Sequence, residues 1–147
     1  MTKIHDIINQ NQRPHKHVDY EHQLQVECVR WFRYQYPQLK KRLFAVPNGG
    51  QRNAITARKL QDEGVLAGVS DLILLKPNDH YHALLIEMKT DKKYSRQSEH
   101  QKAWQYDLTK DGEYEYVVCR TLDEFISTVK AYLNNIEYRI KSENNNE

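Results

Sequence analysis

The chain is 147 residues long, which suits one domain built around a single core. Its 39% hydrophobic and 29% charged residues give a soluble globular balance; no apolar stretch approaches the ~18–20 residues of a membrane span, and Met1-Thr2-Lys3-Ile4-His5-Asp6 lacks the apolar core of a signal peptide. The net charge of +2 is unevenly spread: residues 1–60 carry 11 Lys and Arg against 4 Asp and Glu, whereas residues 61–147 carry 11 against 16, so a basic part can follow a phosphate backbone while acids elsewhere hold metal.

Residues 1–19 are polar and read as a loose leader; His15 and His17 lack the further Cys or His pair that zinc spacing requires. The spacing predicts a helix over 20–36, ending before Pro37, with Leu24, Cys28 and Trp31 in an apolar stripe beside Val29 and Phe32. Glu21 and Gln25 extend that stripe, although an acid in a first turn also suits the helix dipole. Glu27 lies on the solvated side, and Arg30, Arg33, Lys40, Lys41 and Arg42 form a basic flank. Leu43 to Val46 reads as a short strand, broken by Pro47-Asn48-Gly49-Gly50. Two glycines there make either an ordinary turn or a close backbone approach to a ligand. A second helix is predicted from Asn53 to Glu63, carrying Arg58 and Lys59 and closed by Gly64.

Residues 68–90 contain two apolar runs, Val69 to Leu75 and Ala83 to Met88, around the turn residues Lys76-Pro77-Asn78-Asp79-His80. This is a β-hairpin pattern. Asp71 sits inside the first run, and Glu87 and Lys89, on one face of the second, stand two apart at its end. A turn centred on Asp79 places Asp71 opposite Glu87, where Cβ atoms lie roughly 4.5–5.5 Å apart and like charges repel. A slip of one residue would send the acids to opposite faces. Either Lys89 simply pairs with Glu87 at a solvated strand end, or the two carboxylates need a divalent cation; oxygen ligands of this kind favour Mg²⁺ or Mn²⁺ over zinc.

A polar basic loop, Thr90 to Gln97, leads to a helix opened by the capping box Ser98-x-x-Gln101. Gln101, Trp104 and Leu108 share a stripe, so Gln101 should lie against the sheet, although the capping box alone accounts for a glutamine there. Asp111-Gly112 ends the helix and Tyr114 to Cys119 reads as a strand. A second capping box, Thr121 to Glu124, opens a core-packing helix through Phe125, Ile126, Val129, Tyr132 and Leu133. Residues 138–147 are expected to fray. Cys28 and Cys119 form no CxxC pair and read as reduced, buried thiols of a cytoplasmic protein. The predicted order is α-β-α-β-β-α-β-α, a mixed α/β domain with a sheet of about four strands flanked by helices.

Asp71 followed by Glu87-Met88-Lys89 resembles the signature of the PD-(D/E)XK nuclease superfamily. Glu21 with Gln25, Pro47-Asn48-Gly49-Gly50 with Arg52, Gly68-Val69-Ser70-Asp71, and Ser98-x-x-Gln101-x-x-Trp104 narrow the resemblance to the virus-type replication-repair nuclease domain, VRR-NUC, over roughly residues 20–134. Residues 135–147 then hold the end of the last helix and a polar tail. Ser70 departs from the proline usual in that family, which implies a slightly looser Asp71.

The resemblance implies a restriction-endonuclease-like core and hydrolysis of DNA phosphodiesters to a 5′-phosphate and a 3′-hydroxyl. It implies that Asp71, Glu87 and the Met88 backbone carbonyl hold Mg²⁺ or Mn²⁺, with Glu21 reaching the metal directly or through water. Lys89 is then expected to orient or deprotonate the attacking water, or to offset transition-state charge, and Gln101 to position water or phosphate. Asn48, Gly49, Gly50, Arg52, Arg58 and Lys59 are the candidates for contact with DNA. Compact stand-alone relatives point to a phage or bacterial Holliday-junction-resolving homodimer, acting on branched DNA and not at a membrane. The alternatives are a flap- or nick-directed nuclease or nickase, a nuclease-like fold that binds DNA without cutting, and a protein-interaction domain.

Overall fold

The computed structural model describes residues 19–47, 53–90 and 95–135. Helix α1 (Tyr20–Gln35) opens on Asp19, whose carboxylate accepts the His22 N–H at 3.0 Å. It stops one residue before Pro37, which starts a 3-10 turn, Pro37–Leu39; proline disfavours helical backbone in the residue before it. Strand β1 (Leu43–Ala45) leads to α2 (Ala54–Asp62), capped by the Asn53 side chain. Gly64, at φ +102°, follows the C-cap residue Glu63. Strands β2 (Leu72–Leu74) and β3 (Ala83–Met88) come next, then α3 (Glu99–Thr109), β4 (Tyr114–Cys119) and α4 (Leu122–Leu133). The α/β sequence of elements is the one the patterning predicts.

The four strands form one sheet in the order β1-β2-β3-β4. The first two pairings are antiparallel and the third is parallel, which makes α3 the crossover between β3 and β4. In the hairpin Leu72 faces Ile86, Ile73 faces Leu85 and Leu74 faces Leu84, the register expected from a turn centred on Asp79. That turn is pinned from inside and outside. Asn78 Oδ1 accepts the N–H groups of His80 and Tyr81 at 2.9 and 2.7 Å, Asn78 Nδ2 donates to the Tyr132 carbonyl at 3.1 Å, and the Tyr132 hydroxyl donates to the Lys76 carbonyl at 2.6 Å.

One face of the sheet packs on α1 and α4. Cys28 and Phe32 from α1 and Phe125, Val129 and Tyr132 from α4 meet Leu72, Leu74, Leu84, Ile86 and Met88 in a single buried cluster. Each large apolar side chain there contributes roughly 1.5–3 kcal/mol of transfer free energy. Cys28 and Cys119 are free and buried, and burial pushes both thiols up to about 12. The other face is covered by α3 beside β4, where the Trp104 ring meets Tyr116 edge-on at 6.1 Å. With a helix layer on both sides, all six residues of β3 are buried.

At α4 the Thr121 side chain accepts the Glu124 N–H, but the Glu124 carboxylate accepts from the Arg120 N–H at 2.6 Å instead of returning to Thr121. The expected second capping box is therefore one-sided. Among the described residues no helix is long and apolar enough to cross a membrane.

Candidate active site

Asp71 stands immediately before β2, and continuing the ladder by one rung sets it opposite Glu87. There the strand has no backbone partner to offer, and the Asp71 side chain supplies one: Oδ2 accepts the Met88 N–H at 2.7 Å. On the other side the Lys89 N–H donates to the Cys119 carbonyl at 3.0 Å. Glu87-Met88-Lys89 is thus held from both sides at the end of the most buried strand.

Glu87 is only 1% exposed. The Asp71 carboxylate, one rung beyond the ladder on the facing strand, adds a like charge beside it. Gln101 Nε2 donates to Glu87 Oε1 at 2.5 Å, and the Lys89 ammonium lies 3.5 Å from the same oxygen. Burial, and then the Asp71 charge, push the Glu87 carboxyl up to about 8, against the opposing pull of Lys89. The Tyr116 hydroxyl sits 3.4 Å from Glu87 Oε2, and burial together with the Glu87 charge moves this phenol above its usual range.

Gln101 reaches the pair because of how α3 begins. Ser98 Oγ accepts the Gln101 N–H at 3.2 Å, and Gln101 Oε1 accepts the Ser98 N–H at 2.8 Å. The amide oxygen caps the helix while its nitrogen binds Glu87, so the capping role and the sheet-facing role belong to one side chain. The height of this turn is set by Gly68, at φ +91°. A Cβ added there would lie 2.4 Å from the His100 carbonyl oxygen and 2.9 Å from the Gln101 nitrogen. The segment leading into Asp71 therefore runs directly beneath the first turn of α3, and only glycine permits it.

Ser70, expected to loosen Asp71, does not show that effect. It is fully buried, and its hydroxyl donates to the Leu72 carbonyl at 3.1 Å. A side-chain hydrogen bond restrains the backbone where a proline ring would otherwise do so.

Glu21 is half-buried near the start of α1, and its carboxyl is raised, chiefly by burial and then by the charges of Asp71 and Asp19, with Lys89 opposing. It belongs to the same electrostatic neighbourhood. Among the described residues no three His, Cys, Asp or Glu side chains converge as a metal-holding group. Beyond Glu21 an open groove of about 520 Å³ follows α1 past Gln25, Val26 and Val29 to Arg30 and Arg33. Arg30 and Arg33 are exposed on this helix, and ion pairs among the described residues involve lysines alone.

The remaining candidates are not gathered at this point. Arg58 and Lys59 are exposed on α2, with Lys59 4.0 Å from Glu63, and no hydrogen bond or ion pair among the described residues joins them to the acids. Asn48, Gly49, Gly50 and Arg52 lie outside the described residues, as do His15, His17 and residues 136–147. Two residues at the site escaped the sequence reading, Tyr116 and Gln97. Their only signal is one of two tyrosines on a strand and an amide just before a capping box, both commonplace.

The profile of the VRR-NUC domain family matches residues 8–122. Among solved structures, a VRR_NUC domain protein superposes with a TM-score of 0.67 at 29% identity, covering 81% of this chain and 92% of that one. No curated protein matches. The matched span contains Glu21, Asp71, Glu87, Lys89 and Gln101, and the structural match accounts for the mixed four-stranded sheet with its flanking helices. With 115 consecutive positions under the family profile, the chain belongs to the VRR-NUC domain family, whose membership carries a nuclease-type function.

Proposed function

We propose that this chain is a deoxyribonuclease that depends on Mg²⁺ or Mn²⁺ and cuts phosphodiesters in branched DNA. The observation that carries the reading is the Asp71–Glu87 pair: two carboxyls opposite one another where the hairpin ladder ends, one of them almost fully buried, beside a single ammonium. Such an arrangement is unfavourable when both acids are ionised, and an oxygen-seeking divalent cation relieves it. The donor set fits a hard cation, with no thiol or imidazole among its members.

Asp71, Glu87 and the Met88 carbonyl hold the cation in this reading, and Glu21 acts on it through water. When bound, the cation supplies Lewis acidity to the phosphodiester and lowers the pKa of the attacking water. Lys89, tethered 3.5 Å from Glu87 and 12% exposed, orients that water or offsets charge growing on the phosphorus oxygens. Gln101, fixed by its own cap, holds Glu87 with its amide nitrogen and keeps water or phosphate in register. The products are a 5′-phosphate and a 3′-hydroxyl.

The basic residues Arg30 and Arg33 along the groove, with Asn48, Gly49, Gly50, Arg52, Arg58 and Lys59, serve the DNA backbone, setting affinity and register but not sequence choice. The preferred substrate is a four-way junction resolved by a homodimer in the cytoplasm of a bacterium or a phage-infected host. This substrate assignment rests on analogy with compact family members.

The test is cleavage of a labelled four-way junction, a flap, a nicked duplex and a linear duplex with Mg²⁺ or Mn²⁺, set against Asp71→Ala and Lys89→Ala. Paired incisions in the junction by the wild type, lost in both variants, are the expected result. Preferential cutting of the flap or nicked duplex moves the substrate to that class, and binding without cutting under every divalent ion removes the enzyme reading.

A further inference from the structure

Gln101 and Lys89, to which the proposed function gives roles, both address one oxygen of Glu87. Gln101 Nε2 and Lys89 Nζ approach Oε1 at 2.5 and 3.5 Å. The other oxygen, Oε2, is met by the Tyr116 hydroxyl at 3.4 Å. The phenol oxygen in turn accepts from Gln97 Nε2 at 3.2 Å, and the same amide nitrogen donates to Gln105 Oε1 at 2.9 Å. Four side chains therefore form a line, Gln105–Gln97–Tyr116–Glu87, drawn from the loop before α3, from α3 itself and from two neighbouring strands.

The line has a direction. An amide nitrogen has two protons and no acceptor, so Gln97 gives one to Gln105 and one to the phenol oxygen. A phenol has a single proton, which is then left for Glu87 Oε2. The ring has little freedom to turn away, because Tyr116 is tied to the partner strand opposite Leu85 and its edge meets Trp104 at 6.1 Å. At 3.4 Å the contact is longer than the ~2.7–2.8 Å usual for O–H···O, so its effect is to orient the carboxyl group and not to bind it strongly. Orientation matters here because the terminal torsion of a glutamate is broad and roughly two-fold, and the two Glu87 oxygens must face different partners.

We propose that Tyr116 is a positioning residue that fixes the rotation of the Glu87 carboxyl group toward Asp71, and that Gln97 and Gln105 set the direction in which the phenol donates. The inference rests on the reading of Asp71 and Glu87 as the cation-holding pair. Partners behind a ligating carboxylate characteristically change metal affinity or activity about 10- to 100-fold when removed.

The experiment compares wild type, Tyr116→Phe, Gln97→Met and the double variant in calorimetric titrations with Mn²⁺, alongside melting curves in EDTA. Phenylalanine keeps the ring and the Trp104 contact and removes only the hydroxyl. We expect the Mn²⁺ Kd of Tyr116→Phe to rise about tenfold, with the melting temperature in EDTA nearly unchanged. Gln97→Met should weaken binding in the same direction, and the double variant should be no worse than Tyr116→Phe, since Gln97 acts only through the phenol. A Tyr116→Phe Kd within twofold of wild type, an effect confined to the EDTA melt, or additive losses in the double variant would each overturn the proposal. Should Tyr116→Phe fold poorly, Gln97→Met alone decides the matter by the same Kd. Wild type that takes up no Mn²⁺ at all sinks the cation-holding pair itself, a result distinct from normal wild-type binding with an indifferent variant.

Discussion

Gly68→Ala is the substitution that most directly probes how the two halves of the site are kept in register. Gly68 combines φ +91° with a neighbour that has no room for a methyl group: the His100 carbonyl oxygen at 2.4 Å from the added Cβ. Ordinary contact between such atoms is ~3.5–4.0 Å, so the first turn of α3 must rise by roughly 1 Å or the Gly68 segment must sink by as much. The left-handed backbone costs about 1–2 kcal/mol, and overpacking against main-chain atoms adds about 1–3 kcal/mol. Gly64 is the control. It also has a positive φ, +102°, but nothing within 4 Å of its added Cβ, so Gly64→Ala pays the backbone term alone. Denaturant titrations should therefore show Gly68→Ala losing about 2–5 kcal/mol and Gly64→Ala about 1–2 kcal/mol. Below the melting temperature, displacing Gln101 by ~1 Å should lower the cleavage rate on the order of 100-fold, whereas Gly64→Ala should cut at the wild-type rate. Equal losses of stability in the two variants, or a Gly68→Ala protein that retains full activity, refute the claim that this approach positions Gln101.

Three further outcomes are expected. Glu87 binds its proton more tightly in the folded state, with its pKa raised from 4.5 to about 8, so its contribution to the stability of the metal-free protein should be full below about 4.5 and be lost as pH climbs through about 8; melting curves in EDTA across that window, compared with Glu87→Gln, check the sign, and Mg²⁺ should restore stability at the alkaline end. Cys28 and Cys119, raised from 9.0 to about 12, should resist a thiol-specific dye at pH 8 until the chain is unfolded, and their contribution to stability should fade as pH rises from about 9 toward 12. Arg30→Ala and Arg33→Ala should each weaken DNA binding across sequences and reduce the salt slope by about 1, leaving the rate at saturating DNA unchanged; an unaltered slope removes the α1 groove from the DNA path.

Much of the fold was legible because local chemistry and tertiary demand agree. Pro37 stops α1, the Asn53 and Ser98 side chains start α2 and α3, and the Pro77-Asn78-Asp79 turn sets a hairpin register that brings Asp71 opposite Glu87. What the pattern did not reveal depends on contacts between distant segments. Gly68 looked like the opening of a hairpin, yet its role is set by a helix turn about thirty positions later. Tyr116 and Gln97 carry no periodic signal, since a hydroxyl–amide contact needs neither a stripe nor a cap. Ser70 was misjudged because the missing proline was visible and the compensating hydroxyl bond to Leu72 was not. Glu124 satisfied the S/T-x-x-E spacing but found the Arg120 N–H first.

Strand β3 is enclosed on both faces, bonded to β4 along its whole length and to β2 over Leu84 to Ile86. Amide exchange at Leu85 and Ile86 should then be among the slowest in the chain, as expected of a central core strand. Glu87, the acid proposed to hold the cation, sits on this strand. Catalysis and the native state should accordingly vanish in one step under denaturant, and return together on dilution.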